Sequence, residues 1–365
     1  MSTAQQACER ELSLAEARQR IDLEIAALNL TCHSHTYGTK VINQRITLTM
    51  PNTRCSAIGS GKGYTDTAQV GARFEALEHY LTQYHSLKSD FDYRHSNSFV
   101  RTGFLSDDSV LDFLTRAPAA TIACRRYHSP LDQNTFSYPV ALSLPHYANA
   151  PLPDDTFNYA SLRRYCSNSG IAIGATYNEA VLHASNECIE RDALSLFLLS
   201  HFYYQDRVPI KVLQRPDDLH PLACLWRDVE QELASQVVVL DISTEFCSST
   251  YLAFCKPSRA GVNVFGTGTS LDPEHAASRA LTELAQLQLT TDTPEVAQHL
   301  SLQSRHLAAF PRLQRCLHMN IQTLMLNATV VTVALPPAQP GLSVSEQVNT
   351  IAQNVRIHGR ELGVN

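Results

Sequence analysis

Residues 167–195 read SNSGIAIGATYNEAVLHASNECIERDALS, and the rest of the chain is organised around them. Thr176 and Glu179 have capping-box spacing, so a helix opens here and runs from about Asn178 to Phe202. On it Glu187, Glu190 and Arg191 stand at i, i+3 and i+4, on a face shared with Ala180 and Ala184. Two carboxylates and an arginine on a largely apolar helix are costly to bury without partners. Magnesium and phosphate together would supply them, since carboxylates bind the metal and arginine binds phosphate. Alone, the same residues also describe a surface helix with an i, i+4 ion pair.

Working outward, the spacing recurs. Ala68, Ala72, Glu75 and Glu78 form one set, Ala180, Ala184, Glu187 and Glu190 the second, and Ala276, Ala280, Glu283 and Gln286 the third. Each puts two alanines and an acid on one helical face, with a further acid or amide three residues on. Each set is expected to follow a glycine-ended strand, which gives a repeated strand, glycine turn and helix. If the three helices converge, five carboxylates face one another and repel unless protonated or neutralised. Divalent metal with Arg191 and Arg279, which share those faces, neutralises them. Gly59-Ser60-Gly61-Lys62-Gly63 is no P-loop, because Gly63 follows Lys62 where a Ser or Thr is needed.

Composition narrows the class. The chain has 365 residues, 44% hydrophobic and 18% charged, with a formal net charge of −6. That describes a globular α/β protein with a real core. No Lys/Arg run marks a nucleic-acid footprint and no apolar run approaches membrane-spanning length. The polar, acidic start lacks a signal-peptide core, so a cytoplasmic location is expected. Ten scattered cysteines with no CxxC pair read as thiols. Cys32-His33-Ser34-His35 lacks a second ligand cluster and reads as strand or loop rather than as a zinc site.

Other elements follow from periodicity. A helix is expected over 8–30 and strands over Thr39–Met50 and Arg54–Ser60, with a helix over Asp66–Ser86. Short strands are expected at Thr121–Tyr127 and Ser137–Leu144. Val237–Ser243, Tyr251–Cys255 and Val262–Thr269 are read as strands, and Asp272-Pro273 caps a helix to about Leu289. Beyond 295 two helices, a strand over Asn327–Leu335 and a last helix near Val344–Glu361 are expected. No linker separates domains: a core over about 8–295 and an extension over 296–365 form one domain.

Gly59–Tyr80, Asn168–Ala193 and Phe265–Gln286 together resemble the YcaO family, most closely in SGIAIGATYNEAVLHASNECIERDA and GTGTSLDPEHAASRALTELAQ. The resemblance implies a YcaO-type fold around a central ATP and Mg2+ site built from helix carboxylates. It implies that Glu75, Glu78, Glu187, Glu190 and Glu283 are the metal-binding acids, and that Arg191 and Arg279 contact and stabilise phosphate. Glu179 matches a nucleotide-contacting acid, Arg10 in the first helix a basic nucleotide-binding residue, and Lys62 and Gln286 two further motif positions. The chain departs from the family pattern at Asn168-Ser169-Gly170, Ala172, Ala175 and Ala17, and its last residues carry no PxPxP tail.

The implied activity is ATP-dependent modification of a ribosomally made peptide. A backbone amide oxygen is phosphorylated and leaves as phosphate, giving an azoline from Cys, Ser or Thr, or a thioamide. The general base is not identified. With no leader-binding domain evident, a partner protein is expected, TfuA-type for thioamidation, and a homodimer fits as well. The rival reading is an ATP-binding accessory protein assisting ribosomal-protein methylthiolation, or a non-catalytic scaffold.

Overall fold

A cap, not hydrophobic spacing, sets where the first helix begins. The Ser13 hydroxyl accepts from Glu16 N (3.3 Å) and the Glu16 carboxylate from Ser13 N (2.9 Å). This closed capping box starts α1 at Leu14–Ala27. Residues 8–12, Arg10 included, therefore lie ahead of the helix expected to contain them. The computed structural model describes residues 8–84, 91–99, 105, 108–116, 119–256, 263–291, 293–337 and 341–365. The expected ends at Ser86 and Val262, and Pro340, lie outside them.

After α1, strands β1 (Thr31–Tyr37), β2 (Ile42–Thr49) and β3 (Ser56–Gly63) form an antiparallel sheet in the order β1-β2-β3. β3 runs through its glycines into α2 (Thr65–Tyr84). A second sheet holds β4 (Asp92–His95), β5 (Thr121–His128) and β6 (Thr135–Pro139), with the short helices α3 (Leu111–Thr115) and α4 (Val140–Ser143) beside it. The expected strand to Leu144 stops at Pro139: proline has no N–H to extend the ladder, and one helical turn follows. Next comes α5 (Tyr177–Leu198), which passes into a six-residue π-helix at Leu199–Tyr204.

The third sheet has five strands: β7 (Ile210–Leu213), β8 (Val237–Asp241), β9 (Ser249–Cys255), β10 (Phe265–Ser270) and β11 (Val330–Val333), in the order β10-β9-β8-β7-β11. Only the β7–β11 pair is parallel. α6 (Pro221–Leu233) lies between β7 and β8, and α7 (Pro273–Thr291) follows β10. Then come α8 (Pro294–His306), α9 (Pro311–His318), α10 (Ile321–Asn327) and, last, α11 (Val344–Ile357). Three helices thus fill 294–327 where two were expected, because Pro311 and the left-handed Met319 (φ 34°) break the chain. α11 ends four residues before Glu361.

The glycine–alanine spacing is a packing device in two of the three sets. A Cβ on Gly61 would meet Ala68 O at 1.8 Å, and one on Gly268 would meet Ala276 O at 2.2 Å. Strand backbone thus rests directly on helix backbone, with Ala68, Ala72, Ala276 and Ala280 fully buried. The α5 set differs. Residues 171–175 before α5 form no strand, and Ala180 and Ala184 stay half-buried. The expected repeat therefore holds for β3–α2 and β10–α7 and not for α5.

Candidate functional site

α2 packs on β3 and α7 on β10, while α7 also reaches β3 and α5 lies on β10. This brings the acids of the three helices into electrostatic reach of one another. Glu187 and Glu75 act on Glu78, and Glu283 acts on both Glu75 and Glu190. Linked pairwise in this row, they make no closed cage: among the described residues no three His, Cys, Asp or Glu side chains are gathered tightly enough to hold a metal ion. An open row suits a hard cation that keeps waters and takes phosphate oxygens beside one or two carboxylates.

Burial pushes the Glu75, Glu78 and Glu190 carboxyls up, and their acidic neighbours add to it. Glu78 is pushed up to about 8. Glu283 goes the other way: burial opposes ionisation, but the Lys62 ammonium, hydrogen-bonded to it, and Arg279 hold it low. Thr267 donates to Glu190 (2.8 Å), with Glu283 3.5 Å from the same hydroxyl.

The loop before α5 is fastened to this row. Glu78 accepts from Ile173 N (2.9 Å) and Glu187 from Gly170 N (3.3 Å). Glu179 is committed elsewhere, its oxygens accepting from Glu11 N (2.8 Å), Leu12 N (3.4 Å) and Ala175 N (3.1 Å). Buried and bonded through both oxygens, it stitches residues 11–12 to the α5 entrance, while Thr176 caps the helix. Arg191 pairs with Glu187 at 3.4 Å with its side chain 57% exposed, at the rim. Gln286 lies half-buried on α7, three residues past Glu283.

Arg279 makes the sharpest demand for a ligand. It lies within electrostatic reach of Glu9, Glu190 and Glu283. Its Nε is buried with no hydrogen-bond partner. A buried unpaired donor is costly, and a phosphate oxygen would satisfy it. The donor set therefore fits magnesium and phosphate together: oxygen ligands in excess of cations, beside a guanidinium whose Nε has no acceptor.

Two residues at this site were not expected from the sequence. Glu9 is 3% exposed and accepts from Ser270 Oγ (2.6 Å) and Asn186 Nδ2 (3.0 Å), with His275 at 3.5 Å. Burial would raise its carboxyl, but His275, Arg279 and Ser270 prevail and hold it at about 2. It ties the start of the chain to α5, β10 and α7. Only its adjacency to Arg10 marks it, since every partner is distant in sequence. His183 lies on α5 between Ala180 and Glu187, at helical spacing that marks it in retrospect. Burial, then Arg279 and Arg10, push its imidazole down to about 3, so it is neutral. Arg10 thus reaches the site from ahead of α1.

The Cys32–His35 segment lies exposed on β1, where alternation sends neighbouring side chains to opposite faces. It gathers no metal site among the described residues.

Two outcomes follow from these charges. In the metal-free protein the folded Glu78 holds its proton while the unfolded carboxyl, near 4.5, releases it. Stability is therefore expected to fall by a few kcal/mol as pH rises from about 4.5 to 8, then to level. Magnesium must displace that proton, so the Tm gain on adding Mg2+ should grow from pH 6 to pH 8 in a thermal melt. A gain independent of pH would contradict this. Separately, Glu9→Ala should cost about 3 kcal/mol in urea unfolding, because it strands Asn186, Ser270 and His275, whereas Glu9→Gln should cost less than half of that.

A family model described as "YcaO cyclodehydratase, ATP-ad Mg2+-binding" matches residues 60–364. A protein of Rhizobium leguminosarum bv. trifolii, named as an uncharacterized protein in the tfuA 3′ region, is 30% identical over 132 residues. The match spans 34% of this chain and 31% of that protein. YcaO of Methanopyrus kandleri, solved with AMPPCP and Mg2+, superposes with a TM-score of 0.63 at 17% identity, over 98% of this chain and 87% of that one. A heterocyclase solved with substrate and cofactor gives 0.63 at 18% identity, over 96% and 50%. The E. coli microcin synthetase McbBCD complex gives 0.57 at 13% identity, over 89% and 80%. These likenesses establish a shared fold. No helix among the described residues is long and apolar enough to cross a membrane.

Proposed function

Because the chain belongs to the YcaO family, we propose that it uses ATP and Mg2+ to activate a backbone amide of a ribosomally made peptide. The observation that carries this reading is the buried, unpartnered Arg279 Nε beside carboxylates whose charge burial disfavours. ATP, when bound, supplies a phosphoryl group that turns the amide oxygen from a poor leaving group into a good one.

The chain's own residues have distinct tasks in this reading. Glu75, Glu78, Glu187, Glu190 and Glu283 hold metal along the row. Arg279 fixes phosphate from inside and Arg191 from the rim, and both stabilise charge as it develops. Lys62 keeps Glu283 ionised and so ready for metal. Arg10 closes the nucleotide side, Gln286 lines the α7 side, and Glu179 acts indirectly by holding the entrance loop. Residues 8–295 form the catalytic core, and the family match reaching residue 364 supports a single unit with its extension.

Of the two chemistries, thioamidation is favoured by the tfuA neighbourhood for which the Rhizobium relative is named, and it implies a TfuA-type partner. Mass spectrometry of a candidate peptide incubated with ATP, sulfide and partner decides it. A gain of about 16 Da marks oxygen-to-sulfur exchange and a loss of about 18 Da marks cyclodehydration. An unchanged mass with every candidate peptide would favour the accessory role instead.

A further inference from the structure

α5 continues past its carboxylates. Ala193, Phe197 and His201 follow Glu190 by three, seven and eleven residues, along one helical stripe. From β10, where Glu190 meets Thr267, that stripe crosses the five-stranded sheet to pack with Ile210, Leu240 and Ile242. β7 and β8 pair at only two positions, Lys211–Asp241 and Val212–Leu240. Beyond these the two strands part, and a cleft of about 270 Å3 opens between them and α5.

The cleft is built as a site rather than as a packing fault. Its walls include Phe197, Ile210, Leu240 and Ile242, with the exposed Val208 at its mouth. Among its lining residues, two buried polar atoms lack partners, His201 Nδ1 and Thr244 Oγ1, and His201 is 9% exposed. Stranded polar atoms in an apolar surround are rare because each is costly. The wall carrying His201 is the π-helix Leu199–Tyr204, a rare form frequent at functional sites. It closes on Gln205 in the left-handed region, at φ 61°. At the mouth Lys211 stands with Asp241 and Glu245, so the rim is negative on balance and disfavours a phosphate.

We propose that this cleft is a side-chain subsite for the peptide substrate, taking an aromatic or large aliphatic side chain. His201 and Thr244 hydrogen-bond the amide next to that side chain. The proposal rests on the peptide-modifying reading above and extends it along α5. At 1.5 Å per residue, Phe197 and His201 lie about 10 and 16 Å along the helix from Glu190. An extended peptide advances about 3.3 Å per residue. The anchored residue therefore sits about three to five positions from the amide being activated.

The test is methyl NMR of the full chain titrated with N-acetyl-phenylalanine amide, N-acetyl-leucine amide and N-acetyl-glycine amide. The first two are expected to shift the Ile210, Leu240 and Ile242 methyls saturably in the millimolar range, and the glycine probe not to shift them. Val208→Trp at the mouth should abolish the shifts. His201→Phe, which keeps the apolar wall, should weaken binding about fivefold. No saturable shift, or equal shifts from the glycine probe, would show a structural void holding water and overturn the proposal. Thermal stabilisation by Mg2+ and ATP is read in the same variants. Its absence in the unaltered protein while the probes still bind would overturn the ATP reading and not the cleft.

Discussion

Glu190→Gln is expected to lower magnesium-dependent ATP turnover about a thousandfold while the metal-free protein unfolds at a higher temperature than the unaltered one. The loss is the size seen when one pre-organised charge or donor is removed from an active site. The gain in stability follows from the sign of the carboxyl's shift. Burial and Glu283 disfavour the ionised Glu190, so neutralising it relieves the fold. The amide keeps shape and can still accept from Thr267 at 2.8 Å. A surface ion-pair helix predicts neither effect. Turnover assays and thermal melts of one preparation check both, and unchanged turnover would remove Glu190 from the metal row. Opposed effects on stability and activity are what a functional cluster of like charges produces.

Arg279 should show the opposite stability sign. Arg279→Gln removes the cation that Glu9, Glu190 and Glu283 all sense. It is expected to destabilise the metal-free protein and to reduce turnover by about 10³-fold or more, the scale of a phosphate-stabilising arginine. Arg279→Lys separates the two roles. It restores the charge, and with it most of the stability, but not the planar fork, so turnover should stay low. Urea unfolding and ATP turnover of the pair decide this. If Lys recovered turnover as fully as stability, Arg279 would be a structural counter-ion and not a phosphate ligand.

What could be read from sequence was local. Glu75, Glu78, Glu187, Glu190 and Glu283 declare themselves because helix periodicity ties them to alanines within one element, and α2, α5 and α7 form where that spacing places them. The part of the site made by distant residues was not legible. Glu9 gathers Asn186, Ser270 and His275 across more than 170 residues, and nothing near it signals that. The parallel pairing of β11 with β7 joins residues 120 apart, Ile210 and Val330. Arg10 illustrates the same limit: its place at the site depends on the Ser13 cap, which starts α1 only after it. α6 is a different case. It lies where no element is expected, although Leu222, Leu225, Trp226 and Val229 have helical spacing and His220-Pro221 opens it. The missing strand before α5 shows that a glycine can mark an extended loop as readily as a strand end. There the loop's N–H groups go to Glu78, Glu179 and Glu187 instead of a neighbouring strand.

The central claim is that the carboxylate row of α2, α5 and α7, with Arg279 behind it, holds a metal–nucleotide complex without a P-loop. The direct measurement is anomalous diffraction from crystals grown with Mn2+ and a non-hydrolysable ATP analogue. The account predicts manganese peaks within bonding distance of carboxylates in the row Glu187, Glu78, Glu75, Glu283 and Glu190, with a phosphate against Arg279. Analogue bound with its phosphates away from that row, or no manganese along it, would contradict the account.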